Sequence, residues 1–296
     1  MEITSKQVSD LRAETGVGMM DCKRALVEAG GDFEEAKKIL RKKGLAAAAS
    51  KAGRATSEGL VVAHVTPKAA VLLEVNCETD FVARTEAFRV FADRLADRIA
   101  AHDSFGETRK GDGAAAGNLS WPGEPSVADA VAQLVGTLKE NIQIRRFARL
   151  VPRKGEIFAS YIHGNGRIGV LVGLLSENDS LARDLAMHVA ASDPRFAVRS
   201  EVTEEALATE KEIARAQAIA AGKPSNVIER IAEGKVEKFY QETVLTEQSF
   251  VKDPEKTVGQ VIVERGGSEA LDLRFVRFKL GEAQARSTSQ GEALAS

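Results

Sequence analysis

Cysteine is scarce in this sequence: only Cys22 and Cys77 occur, far apart and in no paired spacing. That excludes a disulfide framework and fits a reducing compartment, where thiols behave as small apolar residues. Histidine is nearly as sparse. His64, His102, His163 and His188 are scattered, with no His-Glu-x-x-His, no Cys-x-x-Cys and no nucleophile-elbow pattern, so a metalloenzyme or hydrolase has little to stand on. The phosphate-cradling patterns also fail. Gly16-Val17-Gly18 continues to Met19-Met20-Asp21 without a third glycine, and Gly222-Lys223-Pro224-Ser225 lacks an upstream glycine and a Lys followed directly by Ser or Thr. Direct nucleotide binding is therefore not expected, and no metal or cofactor site is indicated.

Charge of one sign is missing too. Lys and Arg number 41 against 43 Asp and Glu, a net charge of -2, which suits a protein partner better than nucleic acid. Paired acids such as Glu34-Glu35 and Glu204-Glu205 lie in helix-forming stretches and read as caps and solvated faces. No run reaches the roughly 18 apolar residues of a membrane span, and Met1-Glu2-Ile3-Thr4 does not begin a basic-then-apolar leader, so a soluble cytoplasmic chain is expected. Aromatics make up only 5 %, while alanine is abundant. Helix-rich parts joined to modest sheets, an α+β class, are expected.

What is present is an internal repeat. Val71-Leu72-Leu73-Glu74-Val75 aligns with Val170-Leu171-Val172-Gly173-Leu174 at an offset of 99, whereas the segment from Phe91 to Asp103 aligns with Leu181 to Asp193 at an offset of 90. Upstream, Leu60 to Val65 and Ile157 to Ile162 each read as a strand. Each copy is thus a β-β-α unit, a hairpin followed by a helix that can cover one sheet face. The first copy holds 9 extra residues between strand and helix, around Cys77-Glu78-Thr79-Asp80-Phe81-Val82-Ala83-Arg84-Thr85. A loop that one copy carries and the other lacks is a candidate for function, although loops accept insertions cheaply.

Around the repeat, residues 4–43 read as a three-helix unit. Thr4 with Gln7 and Asp32 with Glu35 form two capping boxes, Ile3 staples onto Val8, and Gly30-Gly31 stop the second helix. Met19, Cys22, Leu26 and Ala29 recur at helical spacing, and Phe33, Ala36, Ile39 and Leu40 give the third helix its apolar face. Arg41-Lys42-Lys43 sit where a helix end favours cations. Residues 45–57 read as a partly helical linker, and Ser104 to Pro125 as a loop excursion. Val127 to Ile144 is expected to be helical, with Phe147 to Val151 leading into the second sheet. Thr203 to Ala221 and Asn226 to Phe239 read as a protruding hairpin of about 30 Å with Ala206, Ile213 and Ala220 on its seam. Pro254 to Glu264 is expected to be a short helix beginning at Pro. Leu271, Leu273, Phe275, Phe278 and Leu280 are expected to form a strand with a bulge at Val276, before a disordered tail.

Four of these stretches carry a resemblance. Thr15-Gly16-Val17-Gly18-Met19-Met20-Asp21-Cys22-Lys23, Glu74-Val75-Asn76-Cys77-Glu78-Thr79-Asp80-Phe81-Val82, Arg167-Ile168-Gly169-Val170-Leu171-Val172 and Met187-His188-Val189-Ala190-Ala191-Ser192 resemble, in order, the motifs of the bacterial elongation factor Ts family. The resemblance implies a nucleotide exchange factor for elongation factor Tu, the GTPase that carries aminoacyl-tRNA to the ribosome. It implies a ubiquitin-associated-like three-helix domain (1–44), a linker (45–57) and a first core subdomain with the exchange loop (58–147). A second core subdomain with a C-terminal module (148–200 and 241–281), a coiled-coil hairpin (201–240) and a tail (282–296) complete the expected plan. The family's exchange element maps onto Thr79, Asp80, Phe81 and Val82, which would dislodge the GTPase's magnesium. Arg12, Met19, Met20 and His163 match partner-contacting positions. A homodimer and a heterotetramer with the GTPase are both left open. The rival from a different class is a static scaffold for a translation GTPase, without exchange activity.

Overall fold

A computed structural model describes residues 3–282; the expected tail, apart from Glu282, lies outside the described residues. The first three helices are α1 (Ser5–Thr15), α2 (Met19–Glu28) and α3 (Phe33–Lys51). Thr4 and Gln7 form the full capping box on α1, whereas Asp32 accepts from the Glu35 N–H without the reciprocal bond. Ile3, Phe33 and Ile39 pack against a small core of Val8, Leu11, Cys22, Leu26, Ala36 and Leu40. The expected linker is helical as far as Lys51. Gly44 is tolerated there because α3 packs closely on a later helix: a Cβ at Gly44 would stand 3.1 Å from the Ala132 carbonyl, and one at Gly136 3.3 Å from the Gly44 Cα.

Strands β1 (Glu58–Val65) and β2 (Ala70–Cys77) form the first hairpin, followed by the one-turn helix α4 (Asp80–Ala83) and by α5 (Glu86–Ala101). The 104–125 excursion is not wholly loop. It supplies β3 (Thr108–Asp112) and the short α6 (Gly113–Ala116), and its Trp121 packs on Phe91 with ring centroids 5.1 Å apart. Helix α7 (Val127–Leu138) ends six residues before Ile144, at Lys139, which adopts a left-handed φ of 64°. Strand β4 (Gln143–Leu150) then joins the first sheet, in the order β1-β2-β4-β3. Phe147 to Leu150 therefore do not lead into the second sheet, and a boundary after 147 would cut β4. The reason is pairing: β2 is buried along its whole length and needs a neighbour on each side.

The second copy is β5 (Glu156–His163), β6 (Ile168–Leu175) and α8 (Asp179–Ser192). Both hairpins pair along their full length, Glu58 opposite Cys77 and Glu156 opposite Leu175. Helices α9 (Glu204–Ala220) and α10 (Ser225–Thr243) follow, then β7 (Ser249–Phe250), β8 (Asp253–Thr257), α11 (Val258–Gly266) and β9 (Arg274–Lys279). The sheet orders are β5-β6-β9 and β7-β8. Three local expectations change. Pro254 lies in β8, and α11 starts after Thr257, whose capping box with Gln260 is a stronger start signal than a proline. The seam between α9 and α10 is not the expected one: Ala214 and Ala218 are buried with Ala232 and Val236, while Ile213 and Ala220 are exposed. Alanines at the contact let the helices approach where isoleucine would hold them apart. Finally, β9 pairs with β6 in unbroken register, so Val276 marks no bulge.

That last correction follows from how the sheets stack. Val61, Leu72, Ala148 and Leu150 of the first sheet meet Leu171, Val276 and Phe278 of the second. On the far side of the first sheet, Val71, Leu73 and Val75 pack with Phe88, Phe91 and Leu95 of α5 and Val135 of α7. On the far side of the second, Val170, Val172 and Leu174 pack with Leu181, Leu185 and Val189 of α8 and Ile262 of α11, and Phe275 joins them. The central layers are helix, sheet, sheet, helix, an α+β arrangement in which the middle strands are apolar on both faces and alternation is lost. Gly169 permits the approach: a Cβ there would lie 2.5 Å from Val61 Cγ1. The end of the second sheet docks on an ion pair that lies within the first. Buried Glu74 accepts from Arg146 Nε at 2.7 Å and from the Gly281 N–H at 3.0 Å, fixing the end of β9 onto the first sheet. No helix of the described residues is long and apolar enough to cross a membrane.

Candidate functional site

The two hairpin-helix copies differ where the sequence says they do. Residues 176–178 suffice between β6 and α8, but residues 78–85 intervene between β2 and α5 and contain α4. Two threonines set its limits. Thr79 is the N-cap of α4, its Oγ1 accepting from the Val82 N–H at 3.4 Å, and Thr85 is the N-cap of α5, accepting from the Phe88 N–H. Val82 and Ala83 are buried in the first core, which leaves the other side of this single turn facing outward. Phe81 is accordingly 79 % exposed, the most exposed large apolar side chain among the described residues. A phenylalanine following a strand is ordinarily buried, so this exposure is the informative observation. Beside it, half-buried Asp80 is held by Arg84, whose Nη2 donates to Oδ2 at 2.7 Å.

The base of the turn is tied down. Cys77 donates its thiol to the Thr79 carbonyl at 3.1 Å, and burial pushes its pKa up to about 12, so the thiol stays protonated. The Glu140 carboxylate accepts from the N–H groups of Glu78, at 3.1 Å, and Thr79, at 2.9 Å, and from the Thr79 hydroxyl. Asn141 donates its N–H to Glu78 Oε1 at 2.6 Å and its side-chain amide to the Arg54 carbonyl at 2.8 Å. None of Arg84, Glu140 and Asn141 stood out in the sequence. The reading of an uninterrupted helix through Ile144 concealed Glu140 and Asn141, because no glycine or proline marks the turn at Lys139. Asn141, a residue at ease in turns, was the available signal.

The same turn touches the N-terminal helices. Lys139 Nζ lies 3.2 Å from Asp21 Oδ2, and Gln133 donates to the Thr15 carbonyl at 2.9 Å. Asp21 also pairs with Arg24, whose hydrogen bond lowers the Asp21 pKa. Met19 and Met20, in the first turn of α2, are 49 % and 63 % exposed, and Arg12 is exposed in the last turn of α1. A continuous set of contacts therefore runs from the methionine-bearing helix through Asp21 and Lys139 to Glu140 and the Phe81 turn. His163 stands apart at the end of β5, exposed, with Nδ1 3.1 Å from the Tyr161 hydroxyl. Among the described residues no group of three or more His, Cys, Asp or Glu could hold a metal ion. What the turn offers is a projecting apolar ring and a carboxylate on a braced support.

A family model described as elongation factor TS matches residues 78–282. The chain belongs to the elongation factor Ts family. An elongation factor Ts of Syntrophotalea carbinolica is 45 % identical over 292 residues, covering 95 % of this chain and 94 % of its own. Relatives of the same name from Rhodospirillum rubrum and Methylococcus capsulatus are 46 % and 44 % identical, each covering 95 % of this chain and 93 % of theirs. The family match begins at Glu78, the first residue of the additional segment, and takes in β3 and β4 of the first sheet and all of the second, ending at Glu282.

Proposed function

We propose that this chain is a guanine nucleotide exchange factor that binds elongation factor Tu in its GDP form, displaces its magnesium and accelerates GDP release during translation elongation. The observation that carries the reading is Phe81, bare to solvent on a turn whose neighbours are buried. Transferring that ring into an apolar cleft of the GTPase would contribute about 1.5–3 kcal/mol. That gain is the driving force available for shifting the elements that hold the metal. Asp80 would then compete for donors in the ion's hydrogen-bonded shell, and a diphosphate that loses its cation binds less tightly. Val82 serves the same element from inside, as the anchor that turns Phe81 outward.

Exchange of this kind needs no covalent step and no nucleotide site on the factor. Coupling is reciprocal: the ratio by which the factor weakens GDP is the ratio by which GDP weakens the factor. Arg12, Met19, Met20 and His163 supply further partner contacts in this reading, and the exposed methionines suit an adaptable apolar surface. The three N-terminal helices correspond to a ubiquitin-associated-like domain, the two stacked hairpin-helix copies to the core subdomains, and α9 with α10 to a protruding coiled coil. The site of action is the cytoplasm, and a homodimer of the chain or a heterotetramer with the GTPase is the assembly left open by this reading.

The test is stopped-flow release of a fluorescent GDP analogue from elongation factor Tu. Release accelerated by the chain, and slowed by Phe81→Ala or Asp80→Ala, is the expected result. Tight binding with unchanged release would leave a static scaffold instead.

A further inference from the structure

Glu140 and Asn141 brace the start of the exchange turn from outside it. The Glu78 and Thr79 N–H groups leave the end of β2 pointing away from any strand, and Thr79 begins a helix too short to support itself. All three donors at that corner, two N–H groups and the Thr79 hydroxyl, converge on the single carboxylate of Glu140. Glu140 is itself half-buried and follows directly on Lys139, whose left-handed backbone is unusual for a residue with a side chain. That conformation turns the chain so that Lys139 meets Asp21 on one side while Glu140 meets the corner on the other. The arrangement is a brace built from outside the turn, not a by-product of the hairpin.

We propose that Glu140 is the positioning residue of the exchange turn: its carboxylate holds Thr79 in the capping conformation, and Thr79 in turn fixes the direction in which Phe81 and Asp80 project. The role rests on the exchange reading of Phe81. It differs from general stabilisation, because Glu140 lies at the corner's solvent edge and contacts no core side chain through these bonds. With the brace removed, water can reach the two N–H groups and the chain keeps its fold, but the turn samples other directions and Phe81 reaches its cleft in a smaller fraction of encounters.

Two measurements on the full chain test this. In the free protein, hydrogen exchange should show the Glu78 and Thr79 amides losing protection in Glu140→Ala while the α5 amides keep theirs. In GDP release at saturating factor, Glu140→Ala should lower the rate about tenfold, and Glu140→Gln, which keeps one acceptor oxygen, should lower it less. The same Glu140→Ala change made on a background that carries both Asp80→Ala and Phe81→Ala should cost less than about twofold, since a residue that acts through those two side chains has nothing left to position. Unchanged protection of the two amides would overturn the proposal, and so would an equal loss in both backgrounds, the mark of a global defect. If Phe81→Ala releases GDP as fast as the unaltered chain, the exchange reading fails and takes the functional half of the proposal with it. The amide measurement then still decides, in the free chain, whether Glu140 holds the turn.

Discussion

Arg84 closes back on Asp80 across one turn, Nη2 donating to Oδ2 at 2.7 Å, so the carboxylate proposed to act on the GTPase is paired before any partner arrives. Their side chains are 70 % and 40 % exposed, and an exposed pair four residues apart is worth only about 0.3–0.5 kcal/mol. Such a weak clasp orients Asp80 without withholding it. Arg84→Ala should leave thermal stability almost unchanged and alter GDP release by no more than about twofold. A loss as large as that of Asp80→Ala would mean that Arg84 itself meets the partner.

Phe81 and Val82 are neighbours with opposite duties, and truncation should separate them. Phe81→Ala removes a ring that touches mainly water, so stability should stay within about 0.5 kcal/mol while accelerated release is lost. Val82→Ala removes two methyl groups from the core between α4 and α5 and should cost about 2 kcal/mol. Denaturant melts beside release kinetics would reveal the split. Equal destabilisation by both changes would contradict the outward placement of Phe81.

Much of this was legible in the sequence because it depends on local signals. The repeat, the unmatched segment and the α1 cap could be found from offsets and side-chain types alone. Errors gathered where tertiary contact overrides local preference. Residues 45–51 read as linker but continue α3, whose Gly44 lies against α7, Lys139 turns the chain with no glycine, and Val276 broke an alternation that two covered sheet faces had already removed. For the same reason the proposed site residues were visible as a string, 79–82, while their brace at Glu140 was not. A contact between residues 61 positions apart leaves no periodic trace.

Cys77 offers a probe of the corner. Its thiol is fully buried, donates to the Thr79 carbonyl, and is pushed up to about 12 by burial. At pH 8 the reactive thiolate is therefore absent from the folded chain, and Cys22, also buried and shifted upward, behaves alike. A maleimide or disulfide reagent should modify neither thiol over the minutes in which the urea-unfolded chain reacts at both. Rapid native modification of Cys77 would show that the corner opens freely.

His188 should make the second half of the molecule sensitive to acid. It is fully buried under β7, where Nδ1 accepts from the Val251 N–H at 3.3 Å and Nε2 faces Gln248 Oε1 at 2.9 Å. Gln248 is fixed by donating to the Glu242 carbonyl at 2.8 Å, so the imidazole is neutral with its proton on Nε2. Burial lowers its pKa below 6.5. Above pH 6.5 neither the folded nor the unfolded chain binds a proton there, and the group has no effect on stability. Below it the unfolded chain takes up a proton that the fold excludes, so stability falls as pH drops, by at most about 1.4 kcal/mol per unit for one site. Asp184, near the same corner, does not confuse the measurement. Burial would raise its pKa, but hydrogen bonds from Lys252 and Arg265 leave it lowered from 3.8, so its contribution is lost only in stronger acid. Urea unfolding at pH 7, 6 and 5 should show a decline that is shallower in His188→Gln, although that variant starts lower. Parallel declines in the two proteins would place the acid-sensitive group elsewhere.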